Sequence, residues 1–257
     1  MEHFDNGRNS ERYPSKGQFI YGIHPVEEAL LAATTFERIF IQKGIHKDSI
    51  SKLLRMAQQQ EIPVLFVPIE KLNRLHRNHQ GIAAVVSPVR FYKTDDVLAQ
   101  VYAQGRLPLL LIADRITDVR NFGAIARTAL CTGVHAIIIP QTETASINSD
   151  AVKASAGALN KMAICREKNL AQLAKQLKLN GIQLLACEMS GSKYIYEADL
   201  KIPTAIIMGS EGEGISAELL KLADDIVKIP MTGQFESLNV SVATGMILYE
   251  AMKQRMD

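Results

Sequence analysis

The stretch LPLLLIADRITDVRNFGAIARTALCTGVHAIIIP, residues 107–140, decides the fold. Its first part, LPLLLIAD, has the composition of a buried strand, and NFGAIARTALCTG then places apolar side chains at helical spacing. A second apolar run, VHAIIIP, follows directly. A strand, a helix and a strand within about thirty residues is the arrangement that links two neighbouring parallel strands. The stretch therefore predicts a βαβ unit and a parallel sheet.

The same alternation continues along the rest of the sequence. Helical apolar spacing recurs in NLAQLAKQLKLN, ISAELLKLA and VSVATGMILYEAMKQR, and strand-like runs occur at IQLLACEM, TAIIMG and DIVKIP. Alternating strands and helices build an open sheet with helices on its faces. We therefore predict that residues 107–257 form one α/β domain.

A smaller unit precedes this domain. Residues 18–88 contain two helical segments, HPVEEALLAA and DSISKLLRMAQQQ, and the strand-like runs ERIFIQ, IPVLFVP and GIAAVVSPV. Residues 89–106 are more polar and predict a linker with one short helix, which Thr94 would cap. Residues 1–17 combine charged and turn-forming residues, and we predict a flexible tail there.

The composition narrows the classes of protein that fit. The formal net charge is only +2, so any nucleic-acid surface must be local. Cys131, Cys165 and Cys187 are far apart in apolar surroundings, which fits neither a disulfide framework nor a zinc knuckle. No apolar run is long enough to span a bilayer. We expect a cytoplasmic protein with no metal site and no membrane partner.

Three polar, glycine-containing segments follow predicted strands, where open α/β sheets build ligand sites. In the first, DRITDVRNFG, Asn121 could cap the next helix, which carries Arg127 in its second turn. The second, MGSEGEG, has glycine spacing that differs from the dinucleotide fingerprint. The third, IPMTGQFESLNVS, places Ser237, Asn239 and Ser241 at a helix start, and capping explains one of them better than three. Each segment alone also fits an ordinary cap or turn.

Together, the segments NFGAIARTA, MGSEGEG and IPMTGQFESLNVSVATG resemble the three motifs of the SpoU (TrmH) family in the SPOUT methyltransferase superfamily. The resemblance implies transfer of a methyl group from S-adenosylmethionine to an RNA ribose 2'-hydroxyl, a deep trefoil knot and a homodimer. It also implies two sets of site residues. The catalytic set is Arg127, Asn121, Glu211, Ser237 and Asn239, and the cofactor-binding set is Gly209, Ile229 and Leu238. Because a guanidinium stays protonated, we assign Arg127 to charge stabilisation rather than to proton abstraction.

The N-terminal unit also resembles a known module. YGIHPVEEAL and NHQGIAAVV are similar to the L30e-like RNA substrate-binding domain of the family's bacterial large-subunit rRNA guanosine methyltransferases. This resemblance favours rRNA, with guanosine as the target, over two alternatives: a tRNA ribose methyltransferase, or a non-catalytic RNA-binding or ribosome-assembly factor. DNA is not an expected partner.

Local charge suggests where RNA would bind. Residues 71–93 carry five Lys or Arg side chains and no Asp or Glu, a pattern suited to phosphate contacts and equally compatible with a solvated face. The predicted RNA-binding residues are Arg74, Arg77, His79 and Arg120. We interpret His24 and His135 as structural.

Overall fold

The computed structural model describes residues 19–232 and 237–256. The predicted tail, residues 1–17, lies outside this range. Within it the chain forms two α/β domains, each with its own sheet, which confirms the predicted fold class. In the part of the chain described, no helix has both the length and the apolar character needed to cross a membrane.

The N-terminal domain is a four-stranded sheet with helices on both faces. Its elements are β1 (Phe19–Tyr21), α1 (Ile23–Leu31), β2 (Phe36–Gln42), α2 (Asp48–Gln59), β3 (Val64–Val67), α3 (Ile69–Leu75) and β4 (Ile82–Val86). The strand order is β1-β4-β2-β3, with β2 and β3 parallel and the other pairs antiparallel. Helices α1 and α2 cover one face through Leu30 and Leu53, and α3 covers the other through Leu72.

The C-terminal domain is an eight-stranded sheet in which every neighbouring pair of strands is parallel. Its order is β10-β12-β9-β11-β6-β7-β8-β5. The strands are β5 (Phe91–Tyr92), β6 (Leu109–Ala113), β7 (Ala136–Pro140), β8 (Ala163–Glu167), β9 (Gln183–Cys187), β10 (Lys193–Tyr194), β11 (Thr204–Met208) and β12 (Asp225–Lys228). The helices are α4 (Thr94–Ala103), α5 (Val119–Cys131), α6 (Ser149–Ala154), α7 (Leu170–Leu179), α8 (Ala217–Leu222) and α9 (Val240–Met256).

Helices cover both faces of this sheet. On one face α5, α6 and α9 bury side chains such as Phe122, Ala151 and Leu248, and on the other α4, α7 and α8 bury side chains such as Leu98 and Leu173. The central strand β6 is fully buried, as its apolar sequence predicts. Two short 3-10 helices, Ala158–Asn160 and Ile195–Glu197, complete the chain's regular structure as described.

The segment predicted as a linker, residues 89–106, needs a correction. Its strand β5 joins the edge of the large sheet beside β8, and helix α4 buries Val97, Leu98 and Val101 in the core. Thr94 makes no capping bond. Its hydroxyl instead donates to the Glu167 carboxylate at 2.6 Å, and the side chain is buried. Most of this segment therefore belongs to the C-terminal domain.

Polar contacts join the two domains near the start of β2. The buried Glu37 carboxylate accepts a hydrogen bond from the Ser146 hydroxyl at 2.8 Å. The Arg166 guanidinium donates to the Phe36 carbonyl at 3.3 Å and stacks on the Phe91 ring. Burial is the main reason that the Arg166 pKa falls to about 10, so this arginine still carries its charge at neutral pH. We call this region the domain junction.

Candidate active site

Three of the predicted catalytic side chains meet at one carboxylate oxygen. Glu211 Oε1 accepts hydrogen bonds from the side-chain amides of Asn121 at 3.1 Å and Asn239 at 2.6 Å, and from the backbone N–H of Val240 at 3.1 Å. Asn239 also donates to Asn121 Oδ1 at 3.0 Å. Hydrogen bonds to an ionised carboxylate are stronger than neutral ones. We call this group the Asn121–Glu211–Asn239 cluster.

Helix capping brings two of these residues into place. Asp118, not Asn121 as predicted, caps α5: its carboxylate accepts from the backbone N–H groups of Arg120 and Asn121, both at 2.9 Å. The Asn121 side chain is therefore available for the cluster. At the start of α9, Asn239 Oδ1 accepts the backbone N–H of Ser241 at 3.0 Å. The helix N-terminus also favours the nearby negative charge of Glu211.

The loop that carries Glu211 is tightly closed. Ser210 and Gly214 exchange two backbone hydrogen bonds, and Gly214 has a positive φ of 65°. A Cβ on Gly209 would lie 2.2 Å from the Gly214 carbonyl carbon, so only glycine fits there. By contrast, a Cβ on Gly212 would meet no atom within 4 Å. Gly209 is therefore required by the close approach of the loop's own backbone.

A cavity of about 260 Å³ lies beside this loop. All three predicted cofactor-binding residues, Gly209, Ile229 and Leu238, line it, together with Ser237 and Glu211. Its remaining walls are mostly apolar and are formed by Cys187, Glu188, Met189, Met208, Ser210, Gly214, Ile215, Met231, Val240 and Ala243. We call this space the apolar cavity.

A second, more polar space adjoins the apolar cavity. This groove measures about 440 Å³, and Asp118, Asn121 and Glu143 contribute to its walls. Ser210, Glu211 and Val240 line both spaces. The cluster therefore stands between an apolar cavity and a polar groove, an arrangement that suits two reactants meeting at one point.

The remaining reactive groups nearby do not suggest other chemistry. Burial raises the pKa of the Cys187 thiol to about 12, so this cysteine is protonated at neutral pH and is a poor nucleophile. Across residues 19–232 and 237–256, no group of three or more His, Cys, Asp or Glu side chains is placed to hold a metal ion.

The predicted catalytic residue Arg127 does not join the cluster. It is exposed on α5, lines neither of the two spaces, and has no hydrogen bond or ion pair with any other described residue. Arg120, one of the predicted RNA-binding residues, is exposed in the first turn of the same helix.

The predicted RNA-binding residues of the N-terminal domain differ in exposure. Arg74 and Arg77 are exposed. His79 is only 5% exposed and both ring nitrogens have internal partners: Nδ1 accepts from the Gly81 N–H at 2.9 Å, and Nε2 donates to Asn73 Oδ1 at 3.0 Å. The histidine is a structural residue here, and we do not carry its RNA-binding assignment forward.

Two residues that support the site were not singled out from the sequence. Asp114, 4% exposed, accepts the backbone N–H of Ser216 at 2.7 Å. Arg115 has a positive φ of 55°, pairs with Glu213 and donates to the Gly214 carbonyl at 3.3 Å. Together they fasten the end of β6 to the Glu211 loop. Their position after a strand was a signal, but nothing in the spacing indicated the partners.

Comparison with known proteins identifies the family. Residues 108–249 match the SpoU rRNA Methylase family, and residues 19–92 match the family described as RNA 2'-O ribose methyltransferase substrate binding. A Staphylococcus saprophyticus protein described as a TrmH family tRNA/rRNA methyltransferase is 37% identical over 237 residues, 92% of this chain and 95% of the relative. The chain therefore belongs to the SpoU family. It is an RNA 2'-O-methyltransferase of the TrmH/SpoU type.

Solved structures share this fold. The SpoU methyltransferase AviRb from Streptomyces viridochromogenes aligns with a TM-score of 0.58 at 24% identity, over 93% of this chain and 90% of AviRb. AviRb has also been solved in complex with AdoMet. The A. aeolicus TrmH/SpoU tRNA modifying enzyme aligns with a TM-score of 0.55 at 32% identity, over 63% of this chain and 85% of that enzyme.

Proposed function

We propose that the apolar cavity binds S-adenosylmethionine and that the polar groove receives a ribose of large-subunit rRNA, with guanosine as the methylated nucleoside. The observation that carries this proposal is that Glu211, held by Asn121 and Asn239, lines both spaces. The donor and the acceptor of the methyl group would then meet at the cluster. The motif resemblance supports the same assignment of these residues.

The residues present fit this cofactor. Met208, Ile215 and Leu238 offer apolar surface to an adenine ring, and the carboxylates of Glu188 and Glu211 complement the positive sulfonium and amino groups. When bound, the cofactor supplies the methyl carbon and the leaving group of an in-line displacement. The complex of AviRb with AdoMet supports the choice.

The main contribution of the protein is to align the ribose 2'-hydroxyl with the methyl group of the cofactor. We propose that Ser237 and Asn239 shape the methyl-donor side of the centre, and that Asn121 and Glu211 fix the loops around it. Arg127 would stabilise the developing alkoxide or contact the adjacent phosphate, because a guanidinium is a poor base. A phosphate or a water molecule would accept the hydroxyl proton.

Arg127 has a place in this scheme if the enzyme is a homodimer, which we also propose. Helix α9 exposes Val242, Met246 and Tyr249, at 52%, 46% and 58%, on one apolar stripe. Helix α5 packs beside it, with Thr128 Cγ2 3.8 Å from where a Cβ of Gly245 would lie. A second copy covering this stripe would lie next to Arg127. We therefore propose that Arg127 serves the site of the partner subunit.

The threading of the C-terminal domain is a further part of the proposal. The family resemblance implies a deep trefoil knot in residues 107–257, and the parallel sheet is compatible with it. We also expect the reaction to take place in the cytoplasm.

The choice of rRNA rests on the N-terminal domain. Residues 19–92 match a family described as RNA 2'-O ribose methyltransferase substrate binding, and their resemblance to the L30e-like domain of large-subunit rRNA methyltransferases favours rRNA. A tRNA substrate is the second candidate, since the staphylococcal relative is described as a tRNA/rRNA methyltransferase.

One experiment separates these candidates. Ribose 2'-O-methyl positions are mapped in total RNA from cells with and without the gene, and the purified enzyme is then assayed with each unmodified RNA and radiolabelled cofactor. We expect one guanosine of large-subunit rRNA to lose its methyl group in the deletion and to regain it in vitro. A lost methyl group in tRNA alone would assign the enzyme to tRNA, and an unchanged methylation pattern in large-subunit rRNA would contradict the proposed substrate.

A further inference from the structure

The N-terminal domain carries a stack of three aromatic rings that ends at the solvent. Phe19 and Tyr21, on one side of edge strand β1, stack with centroids 5.7 Å apart and planes 9° apart. The His76 imidazole continues the stack on Tyr21 at 4.7 Å. Phe19 and Tyr21 pack against the buried core, whereas His76 is exposed. His76 is therefore the outermost ring of a stack that is anchored in the core.

The His76 ring is held in a fixed orientation. Its backbone N–H donates to the Leu72 carbonyl at 3.0 Å, and its Nδ1 accepts the backbone N–H of Asn78 at 3.1 Å. Because Nδ1 is an acceptor, the neutral ring carries its proton on Nε2. Tyr21 covers one face of the imidazole, so the exposed surface lies on the other face and the edges. A planar ring fixed in this way offers a stacking surface at little entropic cost.

Hydrogen bonds also hold the loop that carries His76 against the rest of the N-terminal domain. The two hydrogen bonds of buried His79, to Asn73 and Gly81, close residues 76–81 against helix α3 and the start of β4. The backbone N–H of Gln42 then donates to the Gly81 carbonyl at 2.9 Å. This bond ties the loop to the last residue of β2, and the Ile45 side chain of the next loop packs against Gly81.

Exposed positive charge lies on the two loops at this end of the sheet. The loops, residues 43–47 (KGIHK) and 76–81 (HRNHQG), contain no Asp or Glu, and Asp48 follows at the start of α2. Their basic side chains, Lys43, Lys47 and Arg77, are exposed. An aromatic face beside cations is the combination with which proteins bind unpaired nucleotides, because each base has a face to stack and each linkage carries a negative charge.

This surface lies far from the domain junction. Ile41 of β2 pairs with Ile82 at the end of the sheet near His76, whereas Phe36 pairs with Val86 at the junction end. Five residues of strand separate the two ends by about 16 Å. His76 thus lies at the end of the N-terminal sheet away from the contacts with the C-terminal domain, and we expect a nucleotide bound there to contribute to substrate affinity.

We propose that His76 is a stacking platform for an unpaired nucleotide of the RNA substrate, with Lys43, Lys47 and Arg77 contacting the neighbouring phosphates. This rests on the proposed function in one respect, namely that the N-terminal domain holds the RNA. It adds the site on that domain and the feature that it recognises, which is an unpaired base rather than a duplex.

Two substitutions test the platform in the full-length enzyme. His76→Ala removes the ring, and His76→Phe retains a flat aromatic face. His46→Ala removes an exposed histidine from the other loop of the same surface and serves as the matched control. The probes are a hairpin RNA whose unpaired loop contains 2-aminopurine and a fully paired duplex of the same length. Cofactor binding by calorimetry checks that each variant is folded.

We expect His76→Ala to weaken hairpin binding by about 5- to 150-fold, the range that corresponds to one base–aromatic stack, and to leave duplex binding unchanged. His76→Phe and His46→Ala should stay within about 2-fold of the wild type, since neither removes a stacking face. With the unmodified substrate RNA, KM for methyl transfer should rise in His76→Ala while kcat is unchanged.

Two results would overturn the platform. One is an equal loss for the hairpin and the duplex in His76→Ala, which would mean that the residue only shapes the loop. The other is a His76→Phe variant as weak as His76→Ala. Failure of the proposed function would be seen separately: the wild type would then transfer no methyl group to large-subunit rRNA, while the hairpin titrations would still report on the stacking.

Discussion

Glu211 and Asn239 are joined by a 2.6 Å hydrogen bond from the Asn239 side-chain amide to the Glu211 carboxylate. The same oxygen accepts the N–H of Val240, so the Glu211 loop is fastened to the start of α9 by two bonds. Replacing Glu211 by Gln keeps the size but removes the charge. Because bonds to charged groups contribute more than neutral ones, we expect kcat/KM for methyl transfer to fall by about 10- to 100-fold.

Glu218→Gln is the matched control for this substitution. It removes a carboxylate in the first turn of α8, outside the apolar cavity and the polar groove. Its methyl-transfer rate should equal that of the wild type. Near wild-type activity in Glu211→Gln would show that the charge of the cluster is not needed.

Gly209→Ala tests the closed loop beside the cavity. The added Cβ would lie 2.2 Å from the Gly214 carbonyl carbon, which is backbone and must shift. We expect the affinity for S-adenosylmethionine, measured by calorimetry, to fall by about 10-fold or more, since overpacking of this kind costs 1–3 kcal/mol or so. Gly212→Ala adds the same methyl group to the same loop in open space and should bind the cofactor as the wild type does. Equal affinities in the two variants would show that the close packing at Gly209 does not affect cofactor binding.

Mixing two inactive variants tests whether Arg127 acts across subunits. Arg127→Ala and Asn239→Ala are each expected to lose most activity, about 100-fold or more, as residues that align reacting groups do. If Arg127 serves the partner's site, a mixed dimer contains one complete site. Co-refolded or co-expressed mixtures should then recover up to about a quarter of the wild-type rate, from half the dimers with one of two sites each.

Arg127 acting within its own chain would leave the mixture inactive. Light scattering of each variant shows whether dimers form at all. Met246→Glu, which places a charge on the exposed stripe of α9, provides the comparison sample and should be monomeric.

A pH dependence of stability is expected from His135. Its Nδ1 accepts the Leu109 N–H at 3.0 Å, and burial, followed by the charges of Arg106 and Arg255, lowers its pKa. The folded protein therefore binds fewer protons than the unfolded chain below about pH 6.5, the ordinary histidine value. The stabilisation is complete above that pH and is lost as the pH falls through the lowered pKa.

His135→Asn retains an acceptor for Leu109 and removes the titration. The free energy of unfolding, measured with urea at a series of pH values, should match the wild type above pH 7 or so and decline less steeply below it. One proton contributes a slope of at most about 1.4 kcal/mol per pH unit. If the free energy of unfolding depends on pH in the same way in the two proteins, His135 is not the source of that dependence.

The sequence predicted the architecture best where apolar runs are long. The predicted β6, α5 and β7 occur within two residues of their expected bounds. Strand β8 was missed because AICRE ends in two charged residues, whose partners, Phe36 and Thr94, come from distant segments. Helix α3 was missed because it has only seven residues. Short elements depend on tertiary packing, which periodicity does not register.

The sequence indicated which residues form the site but not which hydrogen bonds join them. Motif resemblance named Asn121, Glu211 and Asn239, yet nothing local could indicate that one oxygen accepts hydrogen bonds from both asparagines. The capping error has a similar origin: Asp118 and Asn121 are both good caps, and only the backbone of α5 decides between them. Arg127 also illustrates the limit, because the described residues of its own chain include no hydrogen-bond or ion-pair partner for it.

The Asn121–Glu211–Asn239 cluster is assembled from three distant parts of the chain. Asn121 and Glu211 are 90 residues apart, and Asn239 stands at the beginning of the last helix. The Glu211 loop and the start of α9 both line the apolar cavity, so a methyl donor can bind there only after α9 has docked. Binding to the native state alone raises its stability with ligand concentration. The intracellular level of the donor would therefore influence how many newly made chains escape degradation, in addition to how fast they work.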